Sequence, residues 1–307
     1  NATSSRIRAV TGGGQTPSMT DIMDFVTFSI RGNATDFGNL TSNRAGVGAC
    51  ANSTRGLFIS GWNPAGADPT NTIDYITIAF EGNATDFGDS SDGRVYGAGC
   101  QSSVRGIHAG GTTNGAPSYG TVNTIDYVTI AQTGNAVDFG NLSLARAYIG
   151  TCSSSTRGVF AAGYNTSPLN SGTKNIDFIT ISSTGNATDF GDTIGAQYGC
   201  AGASNATRGI ISGGHLAPSG NTNTIQFITI ATTGNTLDFG DSISADTYGK
   251  AGMSSPTRGV FGSSYGPTTT NIEYVQIMTT GDAQDFGDLL ANRRRASGCS
   301  NGHGGLG

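Results

Sequence analysis

The stretch NTIDYITIAFEGNATDFGD, residues 71–89, decides the fold because both of its halves recur six times along the chain. Each copy has an Ile-acid-aromatic run followed by an Asp-Phe-Gly triplet, and an arginine that opens a short apolar run comes before both. The copies are about 50 residues apart, and a fixed period of this length is typical of solenoids, propellers and arrays. We therefore expect a repeat protein.

The three anchors can be listed by position. The arginines are Arg6, Arg55, Arg105, Arg157, Arg208 and Arg258. The Ile-acid-aromatic runs begin at Ile22, Ile73, Ile125, Ile176, Ile225 and Ile272, with Gln226 replacing the acid in the fifth run. The triplets begin at Asp36, Asp86, Asp138, Asp189, Asp238 and Asp285.

Each unit contains four short strand-like segments separated by turn residues. In the unit that begins at residue 146, strands A to D are predicted at 146–153, 156–163, 175–181 and 187–191. Strand C has apolar residues on both faces, as expected of a sheet that is covered on both sides. No stretch has capped helical periodicity. A parallel β-helix is the competing architecture, but its coils are usually shorter than these units, so we predict an all-β propeller.

The prediction for the whole chain, residues 1–307, is one domain with six blades of four antiparallel strands. The predicted units are 1–43 with 295–307, 44–93, 94–145, 146–195, 196–245 and 246–294. The chain starts at a strand B and finishes with a strand A, so pairing the C-terminal strand with the N-terminal strands would close the ring and remove exposed edges. The same strand could instead enter a neighbouring molecule.

These units resemble the kelch repeat over essentially the whole chain. The resemblance rests on the order of strand A, a strand B that ends in small residues, a variable loop, the Ile-Asp-Tyr run and an aromatic residue in strand D. It departs where the usual strand D tryptophan is replaced by Phe37, Phe87, Phe139, Phe190, Phe239 and Phe286. The amino-acid sequence of the unit is also similar to repeats in virion structural proteins of marine bacteriophages, especially those that infect cyanobacteria. These resemblances imply a propeller in a virion.

The composition argues against nucleic acids and membranes as partners. Charged residues make up 12% of the chain, the net charge is -5 and the pI is near 5.0, so the basic surface that nucleic acids require is missing. No apolar stretch is long enough to insert into a membrane. The chain begins at Asn1, which suggests a processed product or part of a longer polypeptide. Five cysteines, an odd number, argue against a complete disulfide framework, and we predict neither a metal nor a cofactor.

The repeat arginines and triplet aspartates are equal in number and fixed in spacing, which favours a set of identical Arg-Asp pairs. The predicted pairs draw on Arg55, Arg105, Arg157, Arg208 and Arg258 with Asp86, Asp138, Asp189, Asp238 and Asp285. A single Asp-Phe-Gly would suggest a kinase metal loop, but six evenly spaced copies without a phosphate-binding loop indicate a structural role. With three histidines and no triad spacing, we predict that the chain is not an enzyme.

The loop between strands B and C varies most between units, and in such blades all these loops emerge on one face, where binding usually occurs. The candidate binding residues in these loops are Trp62, Tyr119, Tyr164, His215 and Tyr265. A solvated turn is the alternative interpretation. Candidate N-glycosylation sites are Asn33, Asn52, Asn83, Asn186 and Asn205, which matter only in a glycosylating pathway.

The leading functional hypothesis is a non-catalytic structural or adhesive module of an extracellular particle, namely a phage fibre or head decoration. Its partners would be other structural subunits and a host-surface glycan or protein, and its location the virion or the extracellular space. A lectin-like propeller of a secreted or cell-surface protein is the alternative, followed by a glycan-processing enzyme and a kelch-type intracellular adaptor.

Overall fold

The chain is an all-β protein built from four-stranded antiparallel sheets arranged as a β-propeller, which confirms the predicted all-β propeller architecture. The computed structural model describes residues 7–65, 69–113, 120–216, 218–244, 249–264 and 269–306. Within these ranges the only helix is a short 3-10 turn, Gly304–Leu306.

Five sheets have four strands, which follow one another through antiparallel hairpins from strand A to strand D. We number the sheets in chain order by strand B. Sheet 1 is Ser297–Ser300, Arg8–Gly12, Ile22–Thr27 and Thr35–Asn39; sheet 2 is Gly48–Ala51, Arg55–Trp62, Pro69–Thr77 and Thr85–Asp89; sheet 3 is Ala98–Gln101, Arg105–Ala109, Thr124–Thr129 and Val137–Asn141. Sheet 5 is Ala201–Ser204, Arg208–Ser212, Thr224–Thr229 and Leu237–Asp241; sheet 6 is Ala251–Ser254, Arg258–Gly262, Asn271–Gln276 and Gln284–Asp288.

Sheet 4 differs from the expected four-stranded unit because it has seven strands. Its first four strands, Gly150–Ser153, Arg157–Ala161, Ser171–Thr180 and Thr188–Tyr198, keep the common order. Strand D does not stop after the Asp-Phe-Gly triplet but has 11 residues in all, and its end pairs with His215–Leu216, which pairs with Gly220–Asn221. Tyr164–Asn165 pairs with strand C. The B–C segment of unit 5 is thereby joined to sheet 4.

Sheet 1 combines strands from both ends of the described chain. Ser297–Ser300 pairs with Arg8–Gly12 in an antiparallel register that places Cys299 opposite Val10. The first repeat arginine was assigned two residues too early, because Arg8 takes the position that Arg55 has in sheet 2. Arg6 lies outside the described residues. Two further two-stranded sheets lie in B–C segments: Gln15–Thr16 with Ser18–Met19, and Thr112–Thr113 with Gly120–Thr121.

The core lies between neighbouring sheets. The phenylalanine of every triplet is buried and packs edge-on against the strand C aromatic ring of its own sheet, with ring centroids 5.9 to 6.1 Å apart. Strand A of one sheet also packs against strand B of the next: a methyl group on Gly158 would lie 2.5 Å from the Sγ of Cys100. The strand A cysteines are therefore packing residues that require a glycine opposite them.

The expected Arg-Asp pairs do not form. Strand alternation points the triplet phenylalanine inward, so the aspartate before it points into water, and all the triplet aspartates are exposed. Each repeat arginine instead lies 4.3 to 5.0 Å from the centre of a strand C aromatic ring and donates to a carbonyl of the next sheet, as Arg157 does to Ile230. The charge is satisfied by an aromatic face and main-chain oxygens.

A different pair of side chains is buried in every sheet. It joins the acid of the Ile-acid-aromatic run to a residue that comes before strand A. Four of the pairs are Arg-Asp, one is Lys-Glu and one is uncharged: Arg293–Asp24, Arg44–Asp74, Arg94–Asp126, Arg146–Asp177, Gln197–Gln226 and Lys250–Glu273. Where the acid is replaced by Gln226, its partner is also a glutamine. In sheets 1 to 5 the partner stands four residues before strand A and its charge matches that of the strand C residue, whereas in sheet 6 Lys250 stands directly before strand A.

Candidate functional site

A cavity of about 150 Å³ lies along the axis of the propeller. Its walls are the strand A segments of sheets 1 to 6, and most of the side chains are small: glycine, alanine, serine and cysteine. Small residues are required because the strands approach closely; a methyl group on Gly99, for example, would lie 2.0 Å from the carbonyl oxygen of Ala49 in the neighbouring sheet. The walls present main-chain groups and hydroxyls to the cavity.

The segment after the last strand lies at one end of this cavity. The Nε2 of the buried His303 donates to the carbonyl of Ala51 at 2.9 Å, and the amide of Gly305 donates to Nδ1 at 3.1 Å. Burial lowers the pKa of His303 to about 4. In sheets 4 to 6, strand A main-chain groups bind a serine hydroxyl of the next sheet, as Ser153 binds Ser204. Sheet 3 has Gln101 at that position, and His303 binds Ala51 instead.

The opposite end of the cavity is formed by six residues that share a left-handed backbone. Each stands two residues before strand A begins and has a φ between 57° and 73°: Gly46, Tyr96, Tyr148, Gly199, Gly249 and Arg295. The amide of one donates to the carbonyl of the equivalent residue in the preceding sheet, for example from Tyr148 to Tyr96 at 2.9 Å. Five such bonds link the six residues at this mouth.

Aromatic rings cover one side of the mouth. Tyr96 and Tyr148 are stacked, with centroids 4.0 Å apart and planes at 18°. Tyr148 is followed by Tyr198 at 6.1 Å, and Tyr198 contacts Tyr164 at 5.3 Å and His215 at 5.0 Å. Burial and the neighbouring Tyr164 raise the pKa of Tyr198. At the other end of the row, the guanidinium carbon of Arg295 lies 5.2 Å from the centre of the Tyr96 ring. We define the mouth cluster as the residues in these ring and cation contacts: Tyr96, Tyr148, Tyr164, Tyr198, His215 and Arg295.

The structure brings two of the predicted binding residues, Tyr164 and His215, into the mouth cluster. The hydroxyl of Tyr164 donates to Asn170 at 2.6 Å, and Nδ1 of His215 is 2.8 Å from the Oδ1 of Asn221. Trp62 stands at the same end in sheet 2, where its backbone pairs with Ala45. Tyr119 and Tyr265 lie outside the described residues.

The mouth cluster also contains four residues that the sequence reasoning missed. Tyr96, Tyr148 and Arg295 lie in the connections before strand A, and Tyr198 ends the long strand D of sheet 4, whereas the predicted binding residues all lie in B–C loops. Aligning the six units picks out three of them, Tyr96, Tyr148 and Arg295, because their column contains three glycines, two tyrosines and an arginine. Such a change of residue type at a fixed position breaks the repeat.

The predicted glycosylation sites fall into two structural classes. Asn33, Asn83 and Asn186 are exposed, and each side-chain oxygen accepts a bond from a main-chain amide of the neighbouring sheet. Asn52 and Asn205 are 8% exposed and stabilise the turns between strands A and B, where each accepts from the amides two and three residues further on.

His108 is buried in a structural position. His108 occupies the strand B position of Phe58 and Phe160, and burial beside Arg94 lowers its pKa well below the usual value. The described part of the chain has no group of three or more His, Cys, Asp or Glu residues that could hold a metal ion. None of its helices is long and apolar enough to cross a membrane.

A comparison with models of known protein families finds no match, and a search of curated protein sequences finds no significant match either.

Proposed function

We propose that the chain is a single domain that forms a closed six-bladed ring and acts as a non-catalytic structural and adhesive module of an extracellular particle, namely a phage virion. The first four strands of sheet 4 supply the remaining blade. Closure is supported by contacts of the Ser297–Ser300 strand with strand A of both sheet 2 and sheet 6. It is also supported by the bond from the Asp288 amide in sheet 6 to Asn33 of sheet 1, at 3.1 Å.

The recognition role rests on one observation: the variable B–C segments lie at the same end as the cavity mouth. Main-chain pairs join the residue before strand A to the start of the B–C segment, as in Ala45 with Trp62, Val95 with Thr112 and Ala147 with Tyr164. A rigid scaffold with its variable segments on one face is suited to binding a partner. The virion assignment is supported by the repeat resemblance and the low charge of the chain.

The ring and the particle are tested separately. Negative-stain images and the solution mass of the purified chain should show single closed rings of one molecule, and open chains of subunits would contradict closure. An antibody against the chain should label the outside of virus particles released by the source culture. Label confined to cell contents, or a gene placed among metabolic genes, would contradict the particle role.

A second candidate function, carbohydrate binding, is favoured by the half-buried rings of Tyr164 and Tyr198 in the mouth cluster. Aromatic rings with a polar tip combine apolar contact with hydrogen bonding, which sugars require. On a glycan array we expect binding that is weakened by Tyr164→Ala. Phe80→Ala, which removes an exposed aromatic side chain at the opposite end of the molecule, should leave binding unchanged. An array without signal would contradict this function and leave the fold untouched.

A further inference from the structure

We infer that the axial cavity binds one acidic sugar unit, that is, a hydroxylated six-membered ring with a carboxylate, and that Arg295 binds the carboxylate at the mouth. This inference deepens the carbohydrate-binding function proposed above and rests on it. It concerns the inside of the propeller and not the variable B–C segments. The experiment below therefore uses free monosaccharides.

The size and chemistry of the cavity fit one sugar ring. Its volume is about 150 Å³, and an apolar cavity of roughly this volume is known to accommodate benzene, a six-membered ring. Here the walls are polar, with hydroxyls such as those of Thr151, Ser254 and Ser297 and with the main chain of strand A. A ring that carries hydroxyl groups is therefore a better match than a hydrocarbon. Because the segment around His303 lies at the other end, the ring would enter through the mouth.

The charges around the cavity favour an anion. The described residues that line it include Lys250 and Arg295 but neither aspartate nor glutamate, although the net charge of the chain is -5. Lys250 is bound to Glu273 and to the hydroxyl of Ser242, so its charge is balanced inside the protein. Arg295 is half-buried at the mouth, beside Tyr96, and its Nη1 donates to the side-chain oxygen of Gln15 at 3.5 Å. Its planar guanidinium can bind a carboxylate through two hydrogen bonds.

The backbone gives an independent indication. Left-handed conformations favour glycine, and three of the six mouth positions are glycine, but Tyr96, Tyr148 and Arg295 adopt φ values of 60°, 57° and 59°. Larger side chains in this conformation carry a strain that is found most often at functional sites. Gly46 makes room for this arrangement, since a methyl group there would lie 2.7 Å from the ring of Tyr96. One side of the mouth thus has rings and a cation, and the other side stays small.

The test is a titration of the full chain with sodium glucuronate, glucose and sodium acetate, followed by calorimetry and saturation-transfer NMR. We expect glucuronate to bind at least about tenfold more tightly than glucose, since a hydrogen bond to a charged group is worth roughly that factor. Acetate lacks the ring and should bind more weakly than either sugar. Glucose and glucuronate binding with equal affinity would overturn the inference.

Two variants and a control locate the site. Arg295→Gly should remove the preference for glucuronate while the melting temperature is kept, because glycine suits φ 59°. Tyr148→Gly should weaken the binding of glucose and of glucuronate about equally. The control is Arg31→Ala, since Arg31 also lies over a tyrosine, Tyr274, but in a C–D turn at the opposite end. A preference that survives in Arg295→Gly, or that is lost equally in Arg31→Ala, would overturn the assignment.

The outcomes separate this inference from the function on which it rests. If immobilised glycans bind on the array but neither variant alters the binding of free glucuronate, the cavity assignment is wrong and carbohydrate binding stands. If no sugar binds in either format, both are wrong.

Discussion

Replacing Asp177 by asparagine would test the buried side-chain pairs that replaced the expected Arg-Asp set. Asp177 is buried in strand C of sheet 4 and accepts hydrogen bonds from Arg146 at 3.0 Å and from the amide and hydroxyl of Ser143 at 3.0 and 2.6 Å. Arg146 is fully buried and also donates to the carbonyls of Asn175 and Phe160. Asparagine keeps the shape and removes the charge.

The expected loss is about 3–5 kcal/mol of unfolding free energy, because removing one partner leaves an uncompensated buried charge on the other. This would correspond to a fall in melting temperature of roughly 6–15 °C for a chain of this size. The measured loss of unfolding free energy is not the Coulomb attraction between Arg146 and Asp177. What the substitution exposes is the cost of keeping the Arg146 guanidinium out of water without a counter-ion.

The chain supplies a matched control in Asp189→Asn. Asp189 lies directly opposite Asp177 on strand D, so the same chemical change is made at the same level of the same sheet. It is exposed, and we expect a change within about 0.5 kcal/mol. Urea unfolding followed by circular dichroism measures both variants. Equal losses in the two variants, or no loss in Asp177→Asn, would refute the reasoning.

Sheet 5 suggests the rescue. Its pair is Gln197–Gln226, joined at 3.2 Å, and Gln226 also accepts from the amide of Ile194. The double variant Arg146→Gln with Asp177→Gln should therefore be more stable than Asp177→Asn by at least about 1–2 kcal/mol, since an ion pair replaced as a whole costs less than a broken one. A double variant as unstable as the single one would contradict this account.

Three further predictions concern packing, the tail and the thiols. Gly158→Ala adds a methyl group 2.5 Å from the Cys100 Sγ, so urea unfolding should show a loss of about 1–3 kcal/mol that Cys100→Ala partly restores; an unchanged midpoint would argue against the tight contact. The pKa of His303 is lowered to about 4 from 6.5, so on acidification the unfolded chain takes up the proton first, and stability should fall between about pH 6.5 and 4. His303→Asn should flatten this dependence of the urea midpoint on pH, and an identical slope would disprove the role of His303. All five cysteines are buried, and burial raises the pKa of Cys50, Cys152 and Cys200 to about 12, so a thiol reagent at about pH 8 should label none before unfolding; labelling of the folded protein would show that the strand A packing opens.

The fold was predictable because the repeat appears in the residues that fill the core. The triplet phenylalanines and the Ile-acid-aromatic runs recur at the places where neighbouring sheets need apolar contact, so their period gave the propeller directly. The long strand D of sheet 4 was not predictable from that period. It depends on pairing between residues 197–198 and 215–216, which belong to the next unit's variable part.

The side-chain pairs show why equal numbers and spacing were a poor guide to contacts. The triplet Asp138 and the repeat Arg105 belong to positions that recur with the same period. Strand alternation nevertheless points the aspartate into water and the arginine toward Tyr127. A better signal was present in unit 5, where Gln226 replaces the acid and Gln197 replaces the arginine. A joint change of two positions indicates contact more strongly than a shared period.

Two of the six residues of the mouth cluster were predicted from the sequence. Tyr164 and His215 were found because variable segments on a repeat scaffold are where binding residues collect. Tyr96, Tyr148 and Arg295 were missed because their left-handed backbone cannot be inferred from the residues themselves: glycine occupies the equivalent positions in three other units. The sequence shows only that the column is irregular, and the structure shows that the irregularity surrounds a cavity.

The contact between a strand A residue and the strand B of the following sheet has an evolutionary consequence. Cys50, Cys100, Cys152 and Cys299 each face a glycine, whereas Met253 shares its core cluster with Ala9. The complementary partners therefore belong to adjacent copies and not to the same copy. Duplicating, deleting or reordering copies by recombination would join neighbours whose contact residues do not match. The number and order of copies should therefore be inherited together, and substitutions should occur in pairs of contacting residues.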